Sequence, residues 1–288
     1  MPLNADVMNQ LTVDGYTAKS CENAFYVEGE ATDVTLRNFY FEDCLRGIVL
    51  SEWNERLVEN VLIERGTIIS KDDWSTGGIL APNAKGLTVK NLRIPSMPKG
   101  VAIDVEGNNL GDVKIINCNI ICYHAFARGK YVIDGGYYKS DYVFLGCSNI
   151  IVKNAYLETT YRMFHNSPSD IHFENCILNL LASDGTEANI TFRRCTIADK
   201  PTENSGTATF SGDGSTTDFL IGDHGLAVTD PNRIVVKVTP ISTDAIAASP
   251  CVGYVDPNDN TKIRVKFASA PASGTDNVKI AWKAEVIS

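Results

Sequence analysis

The chain has 288 residues, 44% of them hydrophobic and 21% charged, with a formal net charge of −9, long enough for a large core or two domains. That acidity, without any cluster of Lys and Arg, excludes a nucleic-acid backbone as partner. The sequence holds no run of about 18 apolar residues, which excludes membrane insertion through a helix.

Residues 1–10, MPLNADVMNQ, carry neither a basic segment nor an apolar one, so no secretory signal is expected. They are expected to form an N-terminal cap, or to be the remnant of an upstream domain. From Leu11 one short pattern recurs nine times: LTVDGYTA, then VTLRNFYF from Val34, VLIERGTI from Val61, LTVKNLRI from Leu87, VKIINCNI from Val113, YVIDGGYY from Tyr131, IIVKNAYL from Ile150, IHFENCIL from Ile171 and ITFRRCTI from Ile190. The starts are 23, 27, 26, 26, 18, 19, 21 and 19 residues apart. A period of about 22 residues is the mark of a solenoid. Within each unit apolar residues alternate with period two and β-branched and aromatic residues dominate, so the units are strands.

Four residues after each start stands Gly15, Asn38, Arg65, Asn91, Asn117, Gly135, Asn154, Asn175 or Arg194. Asn and Gly most readily take a left-handed backbone, so this position is a tight corner, and stacked Asn amides there can bond along the column. The following position, from Tyr16 and Phe39 to Cys176 and Cys195, reads as an inward column. A further strand follows in most coils: AFYV from Ala24, GIVL from Gly47, GGIL from Gly77, GVAI from Gly100, YVFL from Tyr142. Three strands per coil describe a right-handed parallel β-helix of about nine coils over residues 11–199, roughly 43 Å long at the spacing of sheet strands. Cys118, Cys176 and Cys195 share one repeat position, and no CxxC pair or Cys/His ligand cluster occurs. Free, buried thiols are expected, folded first in a reducing cytoplasm, with no metal and no cofactor.

The pattern stops at Ile197. Residues 200–206 read as a linker and 207–288 as a small antiparallel β-sandwich, with strand candidates TATFSG, TDFLIG, RIVVKVTPI, CVGYV, KIRVKFAS and VKIAWKAEV between turn signals.

The asparagine-corner coils resemble the pectate-lyase-like β-helix superfamily, which includes polysaccharide lyases, glycoside hydrolases and viral tail spikes. The order of motifs from GTATFSGDGSTTDFLIGDHGL to KIRVKFASAPASGTDNVKIAWKAEV resembles C-terminal sandwich modules of viral tail and spike proteins. The resemblance implies a virion tail-spike or tail-fibre protein on an extracellular surface. Its implied partners are other tail proteins, its own copies in a homotrimer, and a host-surface polysaccharide or glycoprotein. The alternative it leaves open is a polysaccharide-degrading enzyme. The fold alone does not choose.

The overlong coils 2 to 4 carry the expected binding loops. SEWNERL sets Trp53 beside Glu52 and Glu55, and SKDDWSTGG sets Trp74 beside Asp72 and Asp73. A flat ring next to carboxylates suits a sugar; subunit packing and plain solvation are the competing readings. The candidate catalytic acids are Glu52, Asp72, Asp73, Asp104 and Glu106, since a glycosidase needs two carboxylates about 5–9.5 Å apart. Aligning the third strands makes Glu28 and Asp104 equivalent but three coils apart, about 14 Å. A lyase site could draw on Asp104, Glu106 and Arg128. The histidines, His124, His165, His172 and His224, look scattered, with His165 a turn residue. Phe39 to Phe41, Tyr137, Tyr138 and Tyr142 are expected to face outward as an assembly surface.

Overall fold

A computed structural model describes residues 2–51, 57–73, 77–105, 113–165, 169–179 and 188–287. It divides into two compact units, Met1–Ile190 and Thr191–Ser288. The first is a right-handed parallel β-helix. Its first strands stack in strict register: Thr12, Thr35, Leu62, Thr88, Lys114, Val132, Ile151 and His172 lie one above another. Eight of the nine repeats therefore form one column, and the ninth, from Ile190, falls at the division between the units. Pro2–Asn9, within the segment expected as a cap or the remnant of an upstream domain, is a strand parallel to Tyr26–Thr32.

The register explains the alternation in the sequence. The central residue of each first strand points inward, and Leu36, Ile63, Val89, Ile115, Ile133, Val152 and Phe173 are at most 1% exposed. Burying each such side chain is worth about 1.5–3 kcal/mol. In the second strands Phe41, Ile68, Ile94, Ile120, Tyr138, Leu157 and Leu178 form the matching inner column. In the third strands Phe126, Phe144 and Phe164 stack with centroids 5.7 and 6.1 Å apart. Thus Phe39, Phe41 and Tyr138 belong to the core, not to an outer surface. The expectation failed because it ignored the change of phase at the corner: Leu36 before it and Phe39 after it are both buried although three positions apart.

The corner is left-handed in all nine repeats, from Gly15 at φ 73° to Arg194 at φ 52°. Asn154 donates to Asp134 (2.8 Å) and Asn175 to Asn154 (3.2 Å), giving the expected ladder in part. Coil 6 breaks the asparagine rule because a Cβ on Gly135 would lie 2.1 Å from the Oδ1 of Asn117 in the coil before. One coil's amide excludes the next coil's side chain.

Residues 203–206, expected in the linker, begin the strand Glu203–Gly212. That strand, Gly274–Val286 and Ile234–Pro240 make one antiparallel sheet; Asp218–Asp223, Asp259–Phe267 and Cys251–Asp256 make another. Both contribute to common interiors, where Ile263 meets Val236 and Ala284, and Val265 and Phe267 meet Val278 and Ile280. A five-residue helix, Thr243–Ala247, escapes sequence reading because it is too short to show a period; the Ser242 side chain accepts from Ala245 N–H to cap it.

Candidate functional site

Of the residues singled out for chemistry, Glu52, Trp53, Glu55, Trp74 and Glu106 lie outside the described residues. The others are separated. Asp72 is exposed, with Lys99 Nζ 3.1 Å away. Asp73 lines a cleft of about 440 Å³ with Ser20, Cys21, Glu22, Asp43 and Lys71. Asp104 is buried and gripped by Arg128, whose Nε lies 3.2 Å from Oδ1 while a second guanidinium nitrogen bonds Oδ2. Leu80 stacks directly on Asp104 at the end of the third strand, whereas Asp72 and Asp73 precede its start at Gly77. The two groups thus occupy opposite ends of one strand column and are not a pair. Asp104 is also not equivalent to Glu28. The register runs Tyr26, Val49, Leu80, Asp104, because Gly78, not Gly77, is level with Gly47, and Gly77 pairs with Val101, not Gly100, each a slip of one residue.

The structure assembles a different constellation on the outer side of coils 5 to 7. In coil 4 Met97 and Val101 are four positions apart, whereas in coil 5 their partners Cys122 and His124 are two apart. The surplus overhangs the shorter coil. Ser96, Met97 and Pro98 wall one side of a cleft of about 240 Å³, with Cys122, Tyr123 and Asp141 opposite. Beyond its rim the rings continue. Tyr123 contacts His124 (4.5 Å) and Tyr142 (5.5 Å); Tyr142 lies 4.8 Å from both His124 and His165 and 5.5 Å from Tyr161. The Arg162 guanidinium covers Tyr161 at 4.8 Å. A register shift between Ser140 and Tyr142 inserts an extra residue in coil 7, and Tyr161 there is 54% exposed.

His124 and His165 are therefore neighbours around one tyrosine, not scattered residues. Burial first, and the His165 charge second, push the His124 pKa down to about 4, so its ring is uncharged near neutrality. Burial raises the Tyr142 hydroxyl. Asp141 accepts from the Thr160 hydroxyl and partly offsets the depression at His124. The signal was in the sequence: YHAF, DYVFL and TYRMFH each set an aromatic or histidine before an inward Phe. Aligning Phe126, Phe144 and Phe164 would have stacked those rings.

Among the described residues no group of three or more His, Cys, Asp or Glu could hold a metal ion, and no helix is long and apolar enough to cross a membrane. No family model matches the sequence, and no curated protein does. Among solved structures the chain is similar to the tailspike of Pseudomonas phage phi297 (11% identity, TM-score 0.42, 96% of this chain on 60% of that one). It is also similar to that of Pseudomonas phage LKA1 (9%, 0.33, 98% on 67%). A third is a capsular polysaccharide depolymerase tailspike of Acinetobacter baumannii bacteriophage Fri1 (12%, 0.29, 96% on 62%). The chain thus spans less than two thirds of the length of two of these three.

Proposed function

We propose that this chain is a tailspike-type β-helix of a virus that recognises a host-surface glycan along the ring face of coils 5 to 7. The observation that carries the reading is the unbroken series Tyr123, His124, Tyr142, Tyr161 and His165, drawn from three successive coils and running from Tyr123 in the cleft wall to the exposed Tyr161. Flat rings spaced by a rigid solenoid suit the apolar faces of successive sugar rings, and Asp141 and Arg162 supply groups for hydroxyls. The test is equilibrium binding to a panel of bacterial and archaeal surface polysaccharides. Tyr161→Ala and Tyr142→Ala are expected each to weaken binding by about tenfold, with Tyr161→Ala leaving the unfolding temperature unchanged. Undiminished binding in both variants refutes this placement.

Polysaccharide cleavage is a second reading, favoured by His124, an uncharged imidazole near the Asp141 carboxylate. It requires new reducing ends from the bound polymer, lost in His124→Gln. Association as a homotrimer is a separate proposal. It draws on Ile151, Tyr156 and Ile177, 38%, 38% and 48% exposed on coils 7 and 8, which a lone rod would leave wet. Sedimentation should give three times 31.4 kDa; a monomer at high concentration ends that proposal.

A further inference from the structure

We propose that Cys21 and Cys44 are a covalent cross-linking site, closing into a disulfide between coils 1 and 2 when the folded protein exchanges with a small-molecule disulfide. The placement follows from register. Lys19 stacks on Glu42 and Asn23 on Arg46, so the intervening Cys21 lies directly over Cys44. The backbones are tied on the spot: Leu45 N–H donates to Cys21 O (3.0 Å) and Arg46 N–H to Glu22 O (2.8 Å). Just before the pair, Ser20 Oγ donates to Asp43 at 3.0 Å. Neighbouring strands stand about 4.8 Å apart, inside the span of about 4.4–6.8 Å that a disulfide bridges without moving the backbone. The two sulfurs are already 3.0 Å apart.

Access differs between the two thiols. Cys21 is half-buried and lines the cleft shared with Glu22, Asp43, Lys71 and Asp73, while Cys44 is 2% exposed beneath it. Cys21 is thus the attacking thiol and Cys44 the resolving one. The Cys21 thiolate attacks one sulfur of the small disulfide, whose S–S bond breaks. One small thiolate leaves and takes up a proton, and a mixed disulfide stands on Cys21. The Cys44 thiolate then attacks the Cys21 sulfur and expels the second small thiol. Two protein thiols are oxidised to one disulfide as one small disulfide is reduced to two thiols, so electrons and protons balance.

Two features set the kinetics. Burial, with the neighbouring Cys44, holds the Cys21 thiol up at about 11, so the thiolate fraction, and with it the rate, rises about tenfold per pH unit below that value. Glu22, Asp43 and Asp73 make the rim acidic, which favours a cationic disulfide over an anionic one. Cys118 and Cys147, by contrast, are walled into the core, with Sγ atoms directed at the carbonyls of Ile116 and Phe126.

The experiment uses the full chain, incubated with cystamine or with oxidised glutathione at mildly alkaline pH, then denatured, alkylated and mapped by mass spectrometry. The expected product is a Cys21–Cys44 linked peptide, two hydrogens lighter than its reduced parts, formed faster with cystamine and accompanied by a higher unfolding temperature. In Cys44→Ser the reaction should stop at cysteamine joined to Cys21. Recovery of both wild-type cysteines alkylated, a stable mixed disulfide on wild-type Cys21, or pairing of either thiol elsewhere would overturn the proposal. The wild-type map decides even if Cys44→Ser fails to fold.

Discussion

Arg37 lies directly above Asp14, its Nε 2.9 Å from the carboxylate Oδ2. The Asn38 amide bonds the other oxygen at 2.6 Å, and the amide first, then Arg37, hold the Asp14 carboxyl below its usual range. The pair is one step of a longer device. The outward residues that end the first strands run Asp14, Arg37, Glu64, Lys90, Ile116, Asp134, Lys153, Glu174. Except where Ile116 intervenes, every neighbour in this column has the opposite sign. Parallel strands stacked in register set identical positions against each other, so a repeat with conserved charge would repel itself along its whole length. Alternation turns that liability into a register lock, because sliding by one coil sets like charges together.

Reversing one step should therefore cost more than removing it. In Glu64→Lys the new charge faces Arg37 below and Lys90 above, and the 3.0 Å contact of Glu64 with Arg65 is lost. Urea denaturation should show a loss of roughly 1 kcal/mol at low salt, and Glu64→Gln a smaller one. Added salt should recover much of the difference between the two variants. Equal stability of the two variants at low salt would show that the column does not set register.

Size is matched between coils in the same way. The Phe39 ring occupies the space in which a Cβ on Gly66 would sit, 2.0 Å from Cζ. Gly66→Val should cost about 1–3 kcal/mol by overpacking. Phe39→Leu, destabilising alone, should recover part of that loss when combined with it. A double-mutant cycle by chemical denaturation measures the coupling; strict additivity would contradict the direct contact.

The β-helix was legible because its three signals coincide: period-two apolar residues, a corner that needs a left-handed backbone, and a repeat length. The alternating charges were equally plain in LTVD, VTLR, VLIE and LTVK, but they carry meaning only once strands are known to stack without slip. The ring cluster was hidden for a different reason. Tyr123, Tyr142 and Tyr161 sit where coils differ in length, at register shifts next to Met97 and Ser140. A repeat alignment places these positions worst, because surplus residues can be absorbed before or after the bend. Glu28 and Asp104 were misaligned by that same uncertainty, one residue at the glycine pair of coil 3 and one at Gly100 of coil 4.

His224, the histidine with least to suggest a role, is a structural member of the second unit. It is 1% exposed; its Nδ1 accepts from Leu226 N–H at 3.0 Å and its Nε2 meets Asn260 O at 2.8 Å. His224→Leu removes the partner of the buried Leu226 N–H and, with it, the contact to the part-buried Asn260 carbonyl. The loss should be about 2–3 kcal/mol in the unfolding of this unit, with glycan binding at the first unit untouched. His224→Gln, which keeps a donor and an acceptor, should recover part of it.

His124 gives the ring face a dependence on pH. In the unfolded chain an imidazole takes up its proton near pH 6.5; in the folded protein burial and His165 delay that to about 4. Between those values the unfolded chain binds more protons, so acid favours unfolding. The sign is fixed: stability from this residue is complete above about pH 6.5, falls as pH drops toward 4, and falls no further below. His124→Gln cannot titrate, so its unfolding temperature should decline less than that of the wild type across this window, and the two curves should run parallel above pH 7. Parallel curves throughout would mean that the folded imidazole binds its proton as readily as the unfolded one. The tilted contact of His124 with Tyr142 would then persist with a charged ring, and glycan binding would be insensitive to acid. If the window is as stated, binding should hold down to about pH 5 and weaken only where the His124 ring becomes charged beside Tyr142.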